Sequence, residues 1–345
     1  MIAERNLQLR GGRWAPKLGL PLALLGLVTA AALLYRHHAV LSGGRVLELV
    51  SALPGDAATA IYVDALALRQ SPFFKGLLGL APAQQVDADY ADFLRATGFH
   101  YERDLDRAAI AFRRDAARKS FFAIVEGRFD QGKIITFATS EGSRTVSDGR
   151  DIYSIPMNHS SRRISFAFLS STRLALTDDV DLAAFLKPNE NEAAKELRER
   201  AVRLAGSPIF AILRQGAPGP LAQRPPAPGG VRFNQLSSVL ANLRWVTLAA
   251  RPDGERLRLV AEGECASDDA ARRIAESVEG MLTVARLGID DPKARKAMDP
   301  AMHEALVDAL KSADVSRIDR DETKAVRLVV DFGPKILDAL QNHPE

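Results

Sequence analysis

The chain has 345 residues, 47% of them hydrophobic and 26% charged, which is the composition of a folded protein long enough for two ordinary domains. Its formal charge of +3 sits in residues 1–17, where Arg5, Arg10, Arg13 and Lys17 face only Glu4. Taking these from the 46 basic and 43 acidic side chains leaves 42 of each, so the remainder is neutral and a basic phosphate-binding stripe, with the nucleic-acid partner it would imply, is excluded.

After the basic tail comes "LGLPLALLGLVTAAALLY", residues 18–35, without a charged side chain. As a helix it would span about 27 Å at about 1.5 Å per residue, close to a bilayer's hydrocarbon thickness. The basic residues precede it, so the positive-inside rule puts the N-terminus in the cytoplasm and the bulk of the chain outside. A cleaved signal peptide is the rival reading, through Ala30-Ala31-Ala32. The apolar run continues through Leu33, Leu34 and Tyr35, however, with no polar cleavage region, which favours a retained anchor. The expected topology is a membrane crossed once, with the membrane itself as one partner.

Residues 36–55 read as a stalk closing at Pro54-Gly55. "AATAIYVD" (57–64) predicts a strand and "ALALRQSPFFKGLLGL" helix. "ADYADFLRATG" predicts a second helical stretch, with Tyr90, Phe93 and Leu94 on one face and Gly98 as its stop. A hairpin follows, turning near Arg114-Asp115, and then a helix capped by Asp130. "DIYSIP" and "RRISFAFLS" form another hairpin through Asn158–Ser161. "TRLALT" adds a strand, Asp178 or Asp179 caps "VDLAAFL", and residues 189–206 make a charged amphipathic helix.

The order then recurs. "SPIFAILR" predicts a strand, "FNQLSSVLANL" a helix, and residues 244–265 a hairpin turning at Pro252-Asp253-Gly254. Ser267 caps a long helix, Asp299-Pro300 starts another, "DVSRID" and "KAVRLVVDF" pair, and Gly333-Pro334 leads into a last helix. The expected fold class is α+β: an N-terminal transmembrane helix, then two tandem, partly similar lobes at residues 56–206 and 207–345. Each is an antiparallel sheet with helices in the ferredoxin-like split βαβ order with an added strand. Glu126-Gly127 and Glu262-Gly263 recur at corresponding points, where they are expected to end a strand and turn the chain.

Catalytic patterns are missing: there is no G-x-S-x-G, S-x-x-K, Walker loop, H-E-x-x-H or G-x-G-x-x-G. The sole cysteine, Cys265, permits no internal disulfide and reads as a small buried hydrophobe. His303 reads as a solvent-facing histidine, and the D-x-D pairs Asp87/Asp89, Asp104/Asp106, Asp179/Asp181 and Asp319/Asp321 read as turn and cap residues. His159-Ser160 with Asp151 would lie at a solvated hairpin tip. No cofactor and no metal is expected.

Two connections are not explained by architecture. "TGFHYERDLD" (97–106) crowds aromatic and charged residues together, and Gln215–Gly230 is a Pro/Gly-rich insert. Phe99, His100 and Tyr101 from the first, with Arg224, Pro225 and Pro226 from the second, are the candidate contacts for an envelope protein partner. "LPGDAATAIYVDALALRQSPF", "DYADFLRATGFHYERDLDRAAIAF", "FFAIVEGRFD" and "ISFAFLSSTRLALTD" together resemble an uncharacterised family of bacterial single-pass, signal-anchored envelope proteins with an extracytoplasmic domain of unknown function. The resemblance covers residues 53–179 and, with the single crossing, implies a bacterial inner membrane as the address and the periplasm for the bulk of the chain, with no catalytic residues to carry over. Three functions follow in order: an interaction or scaffold protein without catalysis, a carrier of an apolar ligand or lipid, and a hydrolase using His100, Asp104 and Asp106.

Overall fold

The computed structural model describes residues 42–79, 88–114, 119–157, 162–179, 181–187, 191–214, 243–320 and 323–341. The tail, the apolar run 18–35, the insert with Arg224, Pro225 and Pro226, the expected helix after it, and His159-Ser160 lie outside the described residues.

Twelve strands form one continuous sheet. In chain order they are β1 (Thr59–Val63), β2 (Leu105–Arg114), β3 (Lys119–Gly127), β4 (Ser143–Ser147), β5 (Arg150–Pro156), β6 (Arg163–Ser170), β7 (Arg173–Thr177), β8 (Ile209–Arg214), β9 (Leu243–Asp253), β10 (Arg256–Cys265), β11 (Asp314–Arg320) and β12 (Thr323–Phe332). Their order across the sheet is β11-β12-β10-β9-β8-β1-β2-β3-β7-β6-β5-β4. Every strand pairing among the described residues is antiparallel.

The broad expectation, α+β with an antiparallel sheet, describes this architecture. Its finer form does not: the halves share one sheet, and a split βαβ unit needs parallel neighbours that are absent among the described residues. The cause is the connection after β1. It returns the chain to the end of the sheet where β1 stops, so β2 starts there; Val63 pairs with Ala108, near the start of β2. A chain that re-enters at the end it left can only pair antiparallel.

The helices are α1 (Ser42–Ser51), α2 (Ala65–Leu68), α3 (Pro72–Leu78), α4 (Ala88–Thr97), α5 (Tyr101–Asp104), α6 (Gln131–Glu141), α7 (Leu182–Phe185), α8 (Glu192–Leu204), α9 (Asp268–Ile289), α10 (Pro292–Ala297), α11 (Pro300–Ser312) and α12 (Lys335–Gln341). Residues alternate in direction along a strand, so each strand in mid-sheet feeds two cores. Ala60 and Tyr62 of β1 pack with Phe122 and Ile124 of β3 and Phe210 of β8 under α1, α7 and α8. Ile61 and Val63 point the other way, towards α2, α3 and α12. On that second face, α9 covers β9, β10 and β12, while α4 and α6 cover β5, β6 and β7.

Three local expectations are corrected. Residues 42–51 are not stalk: Val46, Leu49 and Val50 are almost completely buried, so the core starts before Pro54. Asp181, not Asp178 or Asp179, caps α7, accepting from the Ala184 N–H at 3.1 Å; Asp178 accepts from the Phe121 N–H instead. His303 does not face solvent freely, since its Nε2 lies 2.9 Å from the Ile289 carbonyl. Asp130 and Ser267 do cap α6 and α9 as expected, through the Lys133 and Ala270 N–H groups.

The recurring Glu-Gly pair has a role that its sequence position hides. Gly127 ends β3, but β10 runs on past Gly263 to Cys265, so Gly263 is not a stop. What recurs is the carboxylate. Glu126 pairs in register with Arg173 of β7 and accepts from its Nη2 at 2.6 Å, with Arg107 Nη1 at 3.5 Å. Glu262 pairs in register with Arg327 of β12, accepting at 3.1 Å, and also accepts from both terminal nitrogens of Arg320. Each glutamate is on the third strand outward from the β1–β8 junction, next to the arginine of the strand beyond. Burial raises the Glu262 carboxyl, but Arg320 and Arg327 outweigh it and hold it below the ordinary glutamate value.

Candidate functional site

A concavity lies between α4 and α6, above the ends of β5 and β6. Its volume is about 920 Å³ and it opens to solvent along one side. The apolar lining is Phe93 and Ala96 from α4, Phe137 from α6, and Ile155, Pro156, Met157 and Ile164 from the sheet. Polar groups stand mainly at the rim, where Arg95 is paired to Asp92 at 2.7 Å and Lys133 to Asp130 at 3.3 Å.

Local sequence explains how the two walls are set. Asp130 starts α6 by satisfying a free N–H, and the alternation of β5 sends Tyr153 and Ile155 to the same side of the sheet. Gly98, at φ +71°, ends α4 in the left-handed conformation that glycine tolerates, and its N–H bonds the Leu94 carbonyl at 2.8 Å. The buried Thr97 then locks the exit: its hydroxyl donates to the Phe93 carbonyl at 2.7 Å and accepts from the Phe99 N–H at 3.2 Å.

Beneath the groove runs an aromatic seam. Phe93 meets Phe137 edge-on at 5.5 Å and Phe99 at 6.2 Å; Phe99 stacks on Phe129 at 5.2 Å, and Phe129 meets Phe168 at 6.1 Å. Such pairs add about 0.5–1.5 kcal/mol each beyond burial, so the seam fixes where α4 sits. Phe99 is therefore packing under the groove and not a free contact. Tyr101 is 46% exposed, beside Tyr90 at 5.3 Å, and its N–H donates to the Tyr90 hydroxyl at 3.3 Å. Burial, with Glu102 beside it, pushes the Tyr101 phenol up to about 12, so it is a neutral hydrogen-bonding group at ordinary pH.

The charges of residues 97–106 are spent on holding α5. Asp104 accepts from the His100 backbone N–H at 3.0 Å and from Arg103 at 2.7 and 2.8 Å, and Arg128 lies 3.8 Å away. The Arg103 hydrogen bonds hold the Asp104 carboxyl down at about 2, a value unsuited to a general base. Asp106 faces Arg69 at 3.6 Å and Arg128 at 4.0 Å, and Arg69 also donates to the Glu102 carbonyl at 2.7 Å. His100 meets Asp104 through its main chain, so the pair is a helix cap. Among the described residues no group of three His, Cys, Asp or Glu side chains is placed to hold a metal ion. No helix among them is long and apolar enough to cross a membrane.

No protein-family model matches the chain, and no curated protein matches it. Solved structures do. Crystal form III of TP0453 aligns over 86% of this chain and 98% of its own, at 9% identity and a TM-score of 0.43. Form I covers 85% and 96% at 9% identity and TM-score 0.41, and form IV covers 85% and 96% at 10% identity and TM-score 0.40. A likeness at this level carries no functional inference.

The groove is not among the sites that the sequence singles out. Its residues come from four separated segments, and of these only Tyr90 and Phe93 belong to a helical stripe visible in the sequence.

Proposed function

We propose that this protein is a non-catalytic binding protein of the bacterial envelope, tethered to the inner membrane by residues 18–35, whose α4–α6 groove holds an apolar ligand. The groove carries the reading. At about 920 Å³, with an apolar floor and polar groups gathered at its edge, it falls within the range of small-molecule sites. That shape favours ligand carriage over a scaffold role as the first function. The hydrolase reading loses support because Asp104 is held by Arg103 and the His100 main chain. The uncharged run at 18–35, the basic tail before it and the resemblance to single-pass envelope proteins support the location.

The groove can be closed from either wall without disturbing the core, since Ala96 and Thr136 line it and are exposed. Membranes containing the full chain, treated with a diazirine-bearing fatty acid and irradiated, should yield adducts on peptides from α4, α6 and the end of β5. Ala96→Trp and Thr136→Trp should each reduce these adducts several-fold while leaving the melting temperature nearly unchanged. Labelling that is spread over the molecule, or unaffected by both substitutions, would overturn the reading. The topology has its own check: protease added to intact spheroplasts should leave only a short anchored fragment, and protection from Arg45 onward would refute it.

We also read the matched strand order of the two halves as a duplicated unit. Superposing β1–β2–β3–β7 on β8–β9–β10–β12 should bring α6 near α9; failure would make the order a coincidence.

A further inference from the structure

The long helix α9 changes character half-way. Its first half, residues 268–279, carries Asp268, Asp269, Arg272, Arg273, Glu276 and Glu279 towards solvent, while Ala271, Ile274 and Ala275 are buried against the sheet. That is the pattern of an ordinary amphipathic helix.

The second half, Gly280–Ile289, reads "GMLTVARLGI" and holds one charge, Arg286. That guanidinium is turned back onto α11, donating to the Leu310 and Ala313 carbonyls at 2.9 Å each. The outer surface of these last turns is therefore poor in free charge, and it is not covered: Val284 is 54% exposed and Leu287 72%. A helix apolar on all sides normally has a neighbour on all sides.

Cations follow within a few residues, on a short helix that touches α9. Helix α10 presents Lys293, Arg295 and Lys296 to solvent, and no acidic side chain among the described residues is ion-paired to any of them. Of the two acids between the helices, Asp291 is engaged as the α10 cap, accepting from the Lys293 N–H at 2.7 Å, and Asp290 remains exposed. The two consecutive helices thus present protruding aliphatic side chains and then cations with no ion pair among the described residues.

We propose that the C-terminal half of α9 and helix α10 form a docking surface for an anionic lipid bilayer, with Val284 and Leu287 entering the interface and Lys293, Arg295 and Lys296 at headgroup level. Charge complementarity selects this occupant. The core of a protein–protein interface is depleted in lysine, whereas an interfacial helix sets aliphatic side chains beside lysine and arginine. Each cation near an anionic membrane strengthens binding about fivefold, so three give on the order of a hundredfold.

The test uses the full chain reconstituted into phosphatidylcholine vesicles, with and without phosphatidylglycerol, so that any anchoring by residues 18–35 is common to both. An environment-sensitive dye is attached through Leu287→Cys, the native Cys265 being buried, and a control dye through Val202→Cys, an exposed position on α8. The dye at position 287 should shift to the blue and be quenched by brominated acyl chains only when phosphatidylglycerol is present, and the dye at position 202 should do neither. The combined K293E, R295E and K296E substitutions, or high salt, should remove both effects. Hydrogen exchange of residues 280–297 in the unsubstituted chain, slower on anionic vesicles, keeps the test valid if the cysteine variant misfolds. Equal signals in the two vesicle types would overturn the proposal, as would protection that follows protein density and not lipid charge, since the surface would then bind a second copy.

Discussion

Replacing Glu262 by Gln keeps the shape of the side chain and removes its charge, so it isolates the worth of the arginine clamp on β10. Glu262 is 7% exposed and accepts from Arg320 and Arg327, whose side chains are 29% and 37% exposed. Breaking a fully buried pair costs about 3–5 kcal/mol. Both guanidiniums here reach solvent and can rehydrate, which places the expected loss nearer to about 2 kcal/mol. For a chain of this size that corresponds to a fall in melting temperature of roughly 3 °C. Urea unfolding followed by circular dichroism measures it directly, and adding Arg327→Met should cost less in the E262Q background than alone. The pH dependence has a definite sign. Glu262 has a lower pKa folded than unfolded, so its stabilisation is full above the ordinary glutamate value of about 4.3 and is lost as pH falls through the folded value. The gap between the native chain and E262Q should therefore close on acidification. A gap below about 0.5 kcal/mol at neutral pH, or one that widens in acid, would refute the clamp's role.

The two glycines after the clamp glutamates should respond unequally to alanine. A Cβ on Gly127 would lie 2.5 Å from the Asp104 carbonyl oxygen, a main-chain atom, so Gly127→Ala is expected to cost about 2–3 kcal/mol in urea unfolding. A Cβ on Gly263 meets the Leu243 side chain at 2.6 Å, which can change rotamer, so Gly263→Ala should cost about 1 kcal/mol. Cys265 is buried and its thiol is pushed up, by burial first and by Glu264 second. A thiol reagent at pH 8 should accordingly modify the folded chain far more slowly than the denatured one; equal rates would show that β10 opens readily.

Segments with their own periodicity or caps were legible in the sequence: the β2–β3 and β9–β10 hairpins, and α6 and α9 starting after Asp130 and Ser267. β4 was not, because "SRTVS" is exposed along nearly its whole length and shows no apolar alternation. Its one signal was Asp148-Gly149, both at positive φ, which is the geometry of a tight hairpin turn. The helix α1 was legible in principle, since Val46, Leu49 and Val50 fall at helical spacing, but the segment closes at Pro54-Gly55, which suggested a stalk. The joining of both halves into one sheet was not legible. Pairing between β1 and β8 depends on strands far apart in the chain, and no local pattern encodes it. The groove was hidden for the same reason: Phe93, Phe137, Ile155 and Ile164 become neighbours only after α4 and α6 have settled on the sheet. Crowding at 97–106 was visible but misleading, because the density of aromatic and charged groups that suggests a binding loop also serves to fasten a short helix.

The β1–β8 junction has a consequence for the order in which the molecule can be made. Five-residue β1 lies at mid-sheet with β2 on one side and β8 on the other, Thr59 facing Leu213 and Val63 facing Ile209. A chain emerging N-terminus first completes the β1–β2 pairing early, but the opposite edge of β1 stays bare until residues 209–213 arrive. Throughout that interval the N-terminal half presents open main-chain N–H and C=O groups beside the apolar Ile61 and Val63, the kind of edge that recruits strands from other chains. The nascent chain therefore passes through a stage in which a strand central to the finished protein is its most adhesive, and a holding chaperone would have most to protect between the synthesis of β2 and that of β8.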